Sequence, residues 1–272
     1  MPELHARLLD EVLTLGSPYP LVLTGGYAVQ AHQLTARPSQ DLDVATQSPA
    51  PMDDIARTLG DKLTARGWDV ELLETAPLSA RFLVTDPSSG QTCEVDILKE
   101  VFWHPVVPTS YGPVLSEQDV VGTKVRAIAE RGAPRDLIDV YAASRRWTTA
   151  DLERFGRRHA RPGGLFGEAE LQARLEGADW FEDEAFTAYG LDAPAIAGLR
   201  AWAAAWADGL AARAASSGDD GAGSAPAQHD PDEYGRCGDR IELPLPWSCT
   251  SRRSPPSASG PLSSVSVSSR SG

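Results

Sequence analysis

The sequence predicts an α+β fold, with a mixed sheet, flanking helices and a helical second half. Three observations carry this. Over the first 115 residues, short apolar runs bounded by Gly, Pro and Asp alternate with helical stripes. From Ser116 strand signals stop, and helical periodicity continues to about residue 214. Beyond that the chain turns to Ser, Gly and Pro, with ten Ser among the last 22 residues. Such a composition buries too little apolar surface to offset chain entropy. The expected organisation is a mixed domain over 1–115, a helical domain over 116–214 and a disordered low-complexity tail over 215–272.

The elements follow from local pattern. Leu4, Leu8, Val12 and Leu15 form one helical stripe, stopped by Gly16 and Pro18. Pro20 to Thr24 reads as a strand ending in Gly25-Gly26, with a helix expected over Tyr27–Leu34. Asp41 to Ala45 is a strand, 53–66 a helix stopped by Gly67, and Trp68 to Leu73 a strand. Arg81–Thr85 and Thr92–Leu98 form a hairpin around the turn Asp86-Pro87-Ser88-Ser89-Gly90. Ser116 with Asp119 resembles a capping box for a helix reaching Arg131. Further helices are expected at Pro134–Arg146, Thr149–His159 and Asp192–Arg213. The Trp202/Trp206 pair, four apart among alanines, reads as core. The run Ile241–Leu245 with Trp247 is a tail segment able to dock locally.

The 272 residues carry 25 Lys+Arg against 38 Asp+Glu, a net charge of −13. That excludes a general nucleic-acid coat or a polybasic membrane binder, though not a local basic site. The three cysteines, Cys93, Cys237 and Cys249, form neither a disulfide framework nor a zinc site. No apolar run approaches the ~20 residues of a membrane span. The N-terminus lacks a leader pattern, so a cytoplasmic protein is expected. Only three of the basic residues are Lys: Lys62, Lys99 and Lys124.

The stretch Leu21-Val22-Leu23-Thr24-Gly25-Gly26-Tyr27 and the segment Arg37-Pro38-Ser39-Gln40-Asp41-Leu42-Asp43-Val44 carry the chemistry. A strand running through two glycines into a helix leaves backbone N–H groups free, and glycine lets an anion approach them. Asp41 and Asp43 are two apart, so on a strand both point to one face. Side-by-side carboxylates repel unless a cation sits between them. Mg²⁺ held by carboxylates and phosphate oxygens is a common solution. On the second hairpin strand, Glu94 and Asp96 share one face, and Cys93, Val95 and Ile97 point to the core. If that strand lies beside Asp41–Ala45, a third carboxylate joins the pair, and three carboxylates can hold two divalent ions.

Gly-Gly, then Asp-x-Asp, then a carboxylate on a later strand resembles the nucleotidyltransferase superfamily of the DNA polymerase beta type. Arg37-x-Ser39-x-Asp41-x-Asp43 is similar to its AbiEii/AbiGii toxin branch. So are the helical segments Lys124-Val125-Arg126-Ala127 through Arg131 and Arg135-Asp136-Leu137-Ile138-Asp139-Val140-Tyr141. The resemblance spans roughly residues 20 to 146. It implies a nucleotidyltransferase-like sheet, with 1–115 as the catalytic domain. It further implies two Mg²⁺ ions and an NTP substrate, with Asp41, Asp43 and Asp96 as metal ligands and Asp96 also as general base. Gly25 and Gly26 would cradle the triphosphate. Where many members have Gly-Ser, this chain has Gly25-Gly26, so backbone N–H groups or Ser39 would contact phosphate instead. Lys124 would neutralise triphosphate charge, assisted by Arg131 or Arg135. Asp136 matches a downstream catalytic aspartate that fixes Lys124 or the base end of the nucleotide.

Alternatives stay open. Glu94 can replace Asp96, and Asp139 can replace Asp136. Arg135 and Asp139 can instead form an ordinary i,i+4 helix pair. From Lys124 to Arg161 there are ten Lys/Arg and five Asp/Glu. That local surplus suits a phosphate-rich acceptor such as tRNA, with Trp147 able to stack on a base. His5, His32, His104 and His159 show no metal spacing. The function expected from the resemblance is transfer of NMP from an NTP to an acceptor hydroxyl, the tRNA 3′ end, by a toxin of an abortive-infection system with a cognate antitoxin. Two other readings remain: modification of a small hydroxylated antibiotic, and a catalytically silent nucleotide- or partner-binding module.

Overall fold

The computed structural model describes residues 1–161 and 166–219. The chain runs through α1 (Glu3–Leu15), β1 (Val22–Leu23), α2 (Gly25–Ala31), β2 (Leu42–Thr46), α3 (Met52–Ala65), β3 (Asp69–Ala76), β4 (Ser79–Thr85), β5 (Thr92–Lys99), β6 (Val107–Thr109) and β7 (Gly112–Val114). The helical half follows: α4 (Glu117–Arg131), α5 (Pro134–Ala143), α6 (Thr149–His159), α7 (Glu168–Glu176), α8 (Glu184–Thr187) and α9 (Ala193–Asp219).

The strands form one mixed sheet in the order β3-β4-β5-β2-β1-β7-β6. The central pair, β2 and β5, is parallel, and so are β1 and β7; the remaining pairs are antiparallel. Along β5, Cys93, Val95 and Ile97 are buried and alternate with part-buried Glu94 and Asp96. A strand must present one face inward to bury that run, so the carboxylates are turned to the other face. Burial pushes the Cys93 thiol up to about 12, which leaves it a small apolar packing group.

Two apolar clusters meet within α4. The sheet cluster packs α1, α2 and α3 against the strands and ends at Val120; the second begins at Val121 and fills the helical half. Trp206 is buried there and Trp202 part-buried, 5.4 Å apart between ring centres. The Ser116 hydroxyl caps α4 by accepting from Asp119 N–H at 3.1 Å. The reciprocal half of the expected box does not form, because the Asp119 carboxylate turns to His104 and His159. The full box sits instead at α6, between Thr148 and Asp151.

Other differences have local causes. α2 begins at Gly25 rather than Tyr27, so the two glycines are its first turn. The β6–β7 hairpin was not expected: each strand is three residues with Pro in the middle, a pattern tolerated at a sheet edge. α7 buries only Leu171 and Leu175, too thin a stripe to read from sequence. α9 continues past the expected end of the helical domain to Asp219. The tail beyond it, including Ile241–Leu245 and Trp247, lies outside the described residues. Among the described residues no helix is long and apolar enough to cross a membrane.

Phe186 anchors the short α8. It is fully buried, with Phe181 edge-on at 6.0 Å and the Arg200 guanidinium 5.6 Å from its ring centre. Phe186→Ala is expected to cost about 3 to 5 kcal/mol, read as a lower denaturation midpoint in urea.

Candidate nucleotidyltransferase site

The parallel pairing of β2 with β5 sets Asp43 directly opposite Asp96. Both side chains open into a cleft of about 250 Å³ that Asp41, Gly25, Gly26, Ser39, Lys124, Arg131 and Arg135 also line. Asp41 is not on the strand as expected; it sits in the bend just before β2. The bend still places it in the cleft, where Arg135 Nη1 reaches its carboxylate at 3.5 Å.

The glycines are there for steric reasons. Gly25 has φ +61, and a Cβ at that position would run into the Asp43 carboxylate. A Cβ on Gly26 would meet the Ser39 hydroxyl. The Ser39 hydroxyl therefore stands against Gly26 at the mouth of α2. Its segment is held by Tyr27, whose hydroxyl donates to Ser39 O at 3.0 Å and shares a 2.6 Å bond with His5 Nδ1. Burial pushes the Tyr27 phenol up to about 12, so it keeps that proton.

The Asp43 carboxyl is held above its ordinary value, first by loss of hydration. Lys124 opposes this, while the nearby Asp96 and Asp41 add to it. Among the described residues no hydrogen bond reaches the Asp43 carboxylate. Asp96, by contrast, is gripped by Arg81, its cross-strand neighbour on β4, through two bonds of 2.7 and 2.8 Å. Glu94 shares the face but lies 3.8 Å from Arg81 and does not line the cleft.

Behind the cleft lies a buried charge network. Arg37 forks onto Asp139 with bonds of 2.6 and 2.5 Å. Lys124 Nζ lies 3.1 Å from Asp139 and 3.4 Å from Asp136. Arg131 forks onto Asp136 at 2.7 and 3.0 Å. The i,i+4 pair of Arg135 with Asp139 does not form, because Arg37 and Lys124 already fill that carboxylate. Both aspartates are fully shielded from solvent and touch the cleft only through the cations they hold. Against the cost of burial, Lys124 and Arg131 keep Asp136 below its ordinary value.

The donor set suits a hard divalent cation. Three carboxylates face one cleft, and Asp43 has no proton donor of its own. Among the described residues, though, no three His, Cys, Asp or Glu side chains stand close enough to form a ready-made metal cluster. Arg81 holds Asp96 to itself, and its half-exposed side chain has room to swing away.

A family model described as the nucleotidyl transferase AbiEii toxin of a type IV toxin–antitoxin system matches residues 7–208. The chain belongs to this family. It is accordingly a nucleotidyltransferase enzyme of the toxin type. MenT4, a nucleotidyltransferase toxin from Mycobacterium tuberculosis H37Rv, is 17% identical with a TM-score of 0.51, over 75% of this chain and 83% of that one. That likeness shows a nucleotidyltransferase-like fold. JHP933 from Helicobacter pylori is 16% identical with a TM-score of 0.46, over 81% of this chain and 99% of that one. No curated protein sequence matches the chain.

Several residues of the site escaped the sequence reading. Arg81 is visible only once the hairpin register sets it opposite Asp96. Arg126, Glu100 and Arg161 form a buried cluster at one end of the cleft: Arg126 forks onto Glu100 at 2.9 and 2.6 Å, and Arg161 adds a bond of 2.9 Å. Tyr189 reaches the cleft from a segment without periodic pattern.

Two expectations are corrected. The basic surplus of Lys124–Arg161 is largely consumed internally. Arg146 pairs with Glu117, Arg154 with Asp151, and Arg157 with Glu153 and Glu168. Trp147 is not free to stack on a base. Its indole N–H donates to Glu117 at 2.9 Å and its ring packs edge-on against Phe155.

Glu100 generates a pH test. Burial alone would raise its carboxyl, yet Arg126 and His159, with Arg161, bring it down to about 2 from 4.5. A depressed folded-state value stabilises the fold above the unfolded value and loses that contribution as pH falls toward 2. The urea midpoint should therefore drop steeply between pH 4.5 and 2. Glu100→Gln, though less stable at neutral pH, should show a flatter dependence over that window.

Proposed function

We propose that the protein transfers NMP from an NTP to an acceptor hydroxyl in a Mg²⁺-dependent reaction, and that the acceptor is the 3′ end of tRNA. The observation that carries this is the in-register juxtaposition of Asp43 and Asp96 in a cleft backed by Lys124 and Arg131.

The chemistry divides among the chain's own groups. Gly25 and Gly26 bring backbone close to the cleft, with Ser39 beside them as a phosphate contact. Lys124 has three donors; Asp136 and Asp139 occupy two, and the third is left for a phosphate oxygen. Asp41, Asp43 and Asp96 would hold two Mg²⁺ ions once Arg81 yields Asp96. The bound ions supply charge neutralisation on the triphosphate and a more acidic attacking hydroxyl. The acceptor oxygen then bonds to the α-phosphorus, the bond to the β-phosphate's bridging oxygen breaks, and pyrophosphate leaves with the electron pair. Asp96 takes the hydroxyl proton. Asp136 is a positioning residue, acting through Lys124 and Arg131. A cognate antitoxin is the partner expected of the family.

The lining favours an anionic acceptor over a cationic antibiotic. Seven cationic and six acidic side chains line the cleft, which is not the acid-rich cavity that a polycationic drug requires.

Labelled NTPs, Mg²⁺ and total tRNA should give label transfer and pyrophosphate release with the intact protein. Asp43→Asn should reduce transfer on the order of 100- to 1,000-fold, and Asp136→Asn roughly 10- to 100-fold. Equal transfer by Asp43→Asn and the intact protein would overturn the reading. Nucleotide binding with no transfer to any acceptor would favour the silent module.

A further inference from the structure

A second groove, of about 350 Å³, lies beyond the cleft and shares Glu100 and Arg161 with it. β5 connects the two. Asp96 and Leu98 face the cleft, while Lys99, Glu100 and Val101 face the groove. The groove thus adjoins the Asp96 end of the site. The glycines and Arg135 belong to α2 and α5 and Ser39 to the loop before β2, none of which lines the groove, whereas the far end of β2 at Thr46 does, beside Lys99. A triphosphate held by those elements leaves the Asp96 end open to the other reactant.

The walls of the groove are apolar and cationic together. Leu78 and Val101, 41% and 52% exposed, give the groove its apolar surface. Lys99 and Arg158 have no carboxylate partner among the described residues. Lys99 donates only to Ala50 O, and Arg158 lies over the Trp103 ring, 6.0 Å from its centre. Trp103 does not itself line the groove; it is half exposed, and its N–H donates to O of the groove residue Arg158 at 3.0 Å, which fixes the ring beside that arginine. The buried Nε of Arg161 finds no acceptor among the described residues. Uncompensated positive charge and an exposed aromatic ring coincide here.

We propose that this groove takes the single-stranded 3′ end of an RNA acceptor, with a base on Trp103 and phosphates on Arg158, Lys99 and Arg161. The proposal rests on the nucleotidyltransferase reading above and specifies where its second substrate lies. A fixed aromatic face with flanking cations is the arrangement that holds single strands without strict sequence preference. A protein partner of mixed charge gains less here, because the cations carry no polar pattern beyond their sign.

The test uses the full chain with a 5′-labelled RNA oligonucleotide bearing a free 3′ hydroxyl and with tRNA. Trp103→Ala and Arg158→Glu change exposed side chains, and melting curves check that both fold. Each is expected to raise the acceptor KM and the RNA Kd by about tenfold, while NTP affinity and kcat at saturating RNA stay as in the intact protein. Trp103→Phe should restore most of the loss, since it keeps a stacking face. If either of these variants proves unstable, Leu78→Glu, at a residue that lines the groove, serves in its place and should weaken RNA binding. Unchanged acceptor KM in folded variants that still transfer nucleotide would overturn the groove alone. Loss of antitoxin binding with acceptor KM unchanged would also overturn it and assign the groove to a protein partner. Failure of the intact protein to modify any RNA would overturn the parent reading too, and shows without any variant.

Discussion

Arg37 and Asp139 are 102 residues apart in the chain, yet they form a two-bond fork with side chains 4% and 1% exposed. The fork joins the loop before β2, which carries Ser39 and Asp41, to α5 in the helical half. The groups proposed for catalysis straddle that joint. A buried ion pair contributes little net stability over an apolar pair of the same shape, because both ions lose their hydration. Its directional bonds nevertheless fix position, and removing either partner leaves a buried charge uncompensated. The fork ties the loop bearing Asp41 to the helices bearing Lys124, Arg131 and Arg135.

The same network sets the charge that the cleft presents. Arg37, Lys124 and Arg131 share two carboxylates, Asp136 and Asp139, so one positive charge is left over beside Asp43. Lys124 draws the Asp43 carboxyl down, while dehydration and the neighbouring carboxylates push it up. The cation is held back from a direct bond with Asp43 by its own two partners. Asp43 is thereby left with free lone pairs in a partly dehydrated place, which is the electrostatic condition for taking a divalent ion from water.

Much of the architecture could be read from the chain because its signals were local. The alternation in Thr92–Lys99 placed Cys93 in the core and Asp96 on the opposite face without knowledge of any neighbour. The Gly25-Gly26 pair and the Asp41/Asp43 spacing were likewise short-range. What could not be read depended on partners distant in sequence. Trp147 is adjacent to arginines in the chain, yet in space it belongs to Glu117 and Phe155. Counting charges from Lys124 to Arg161 gave a basic face. The count ignored Glu117, Glu168 and Glu100, which come from outside the segment and offset part of its surplus. Arg81 was invisible as a site residue, and Arg37 was seen in its motif but not as an ion-pair partner of Asp139, because a hairpin register and a tertiary fork bring them in. Short edge strands interrupted by Pro carry too little pattern to announce themselves.

The chain's charge of −13 therefore says little about where a polyanion can bind. Binding of a charged strand depends on local uncompensated charge, because fields between exposed groups fade over about 10 Å in salt. Most arginines here are spent on internal carboxylates and add no field at that range. Lys99 and Arg158 escape this, the first on a backbone carbonyl and the second over an indole ring. Neither partner cancels their charge. They stand at the end of β5 that leads from Asp96 into the groove, where the proposed acceptor hydroxyl would arrive. On the proposed reading, an acidic protein thus keeps positive potential where a second anionic substrate would bind and pairs most of its other arginines with carboxylates.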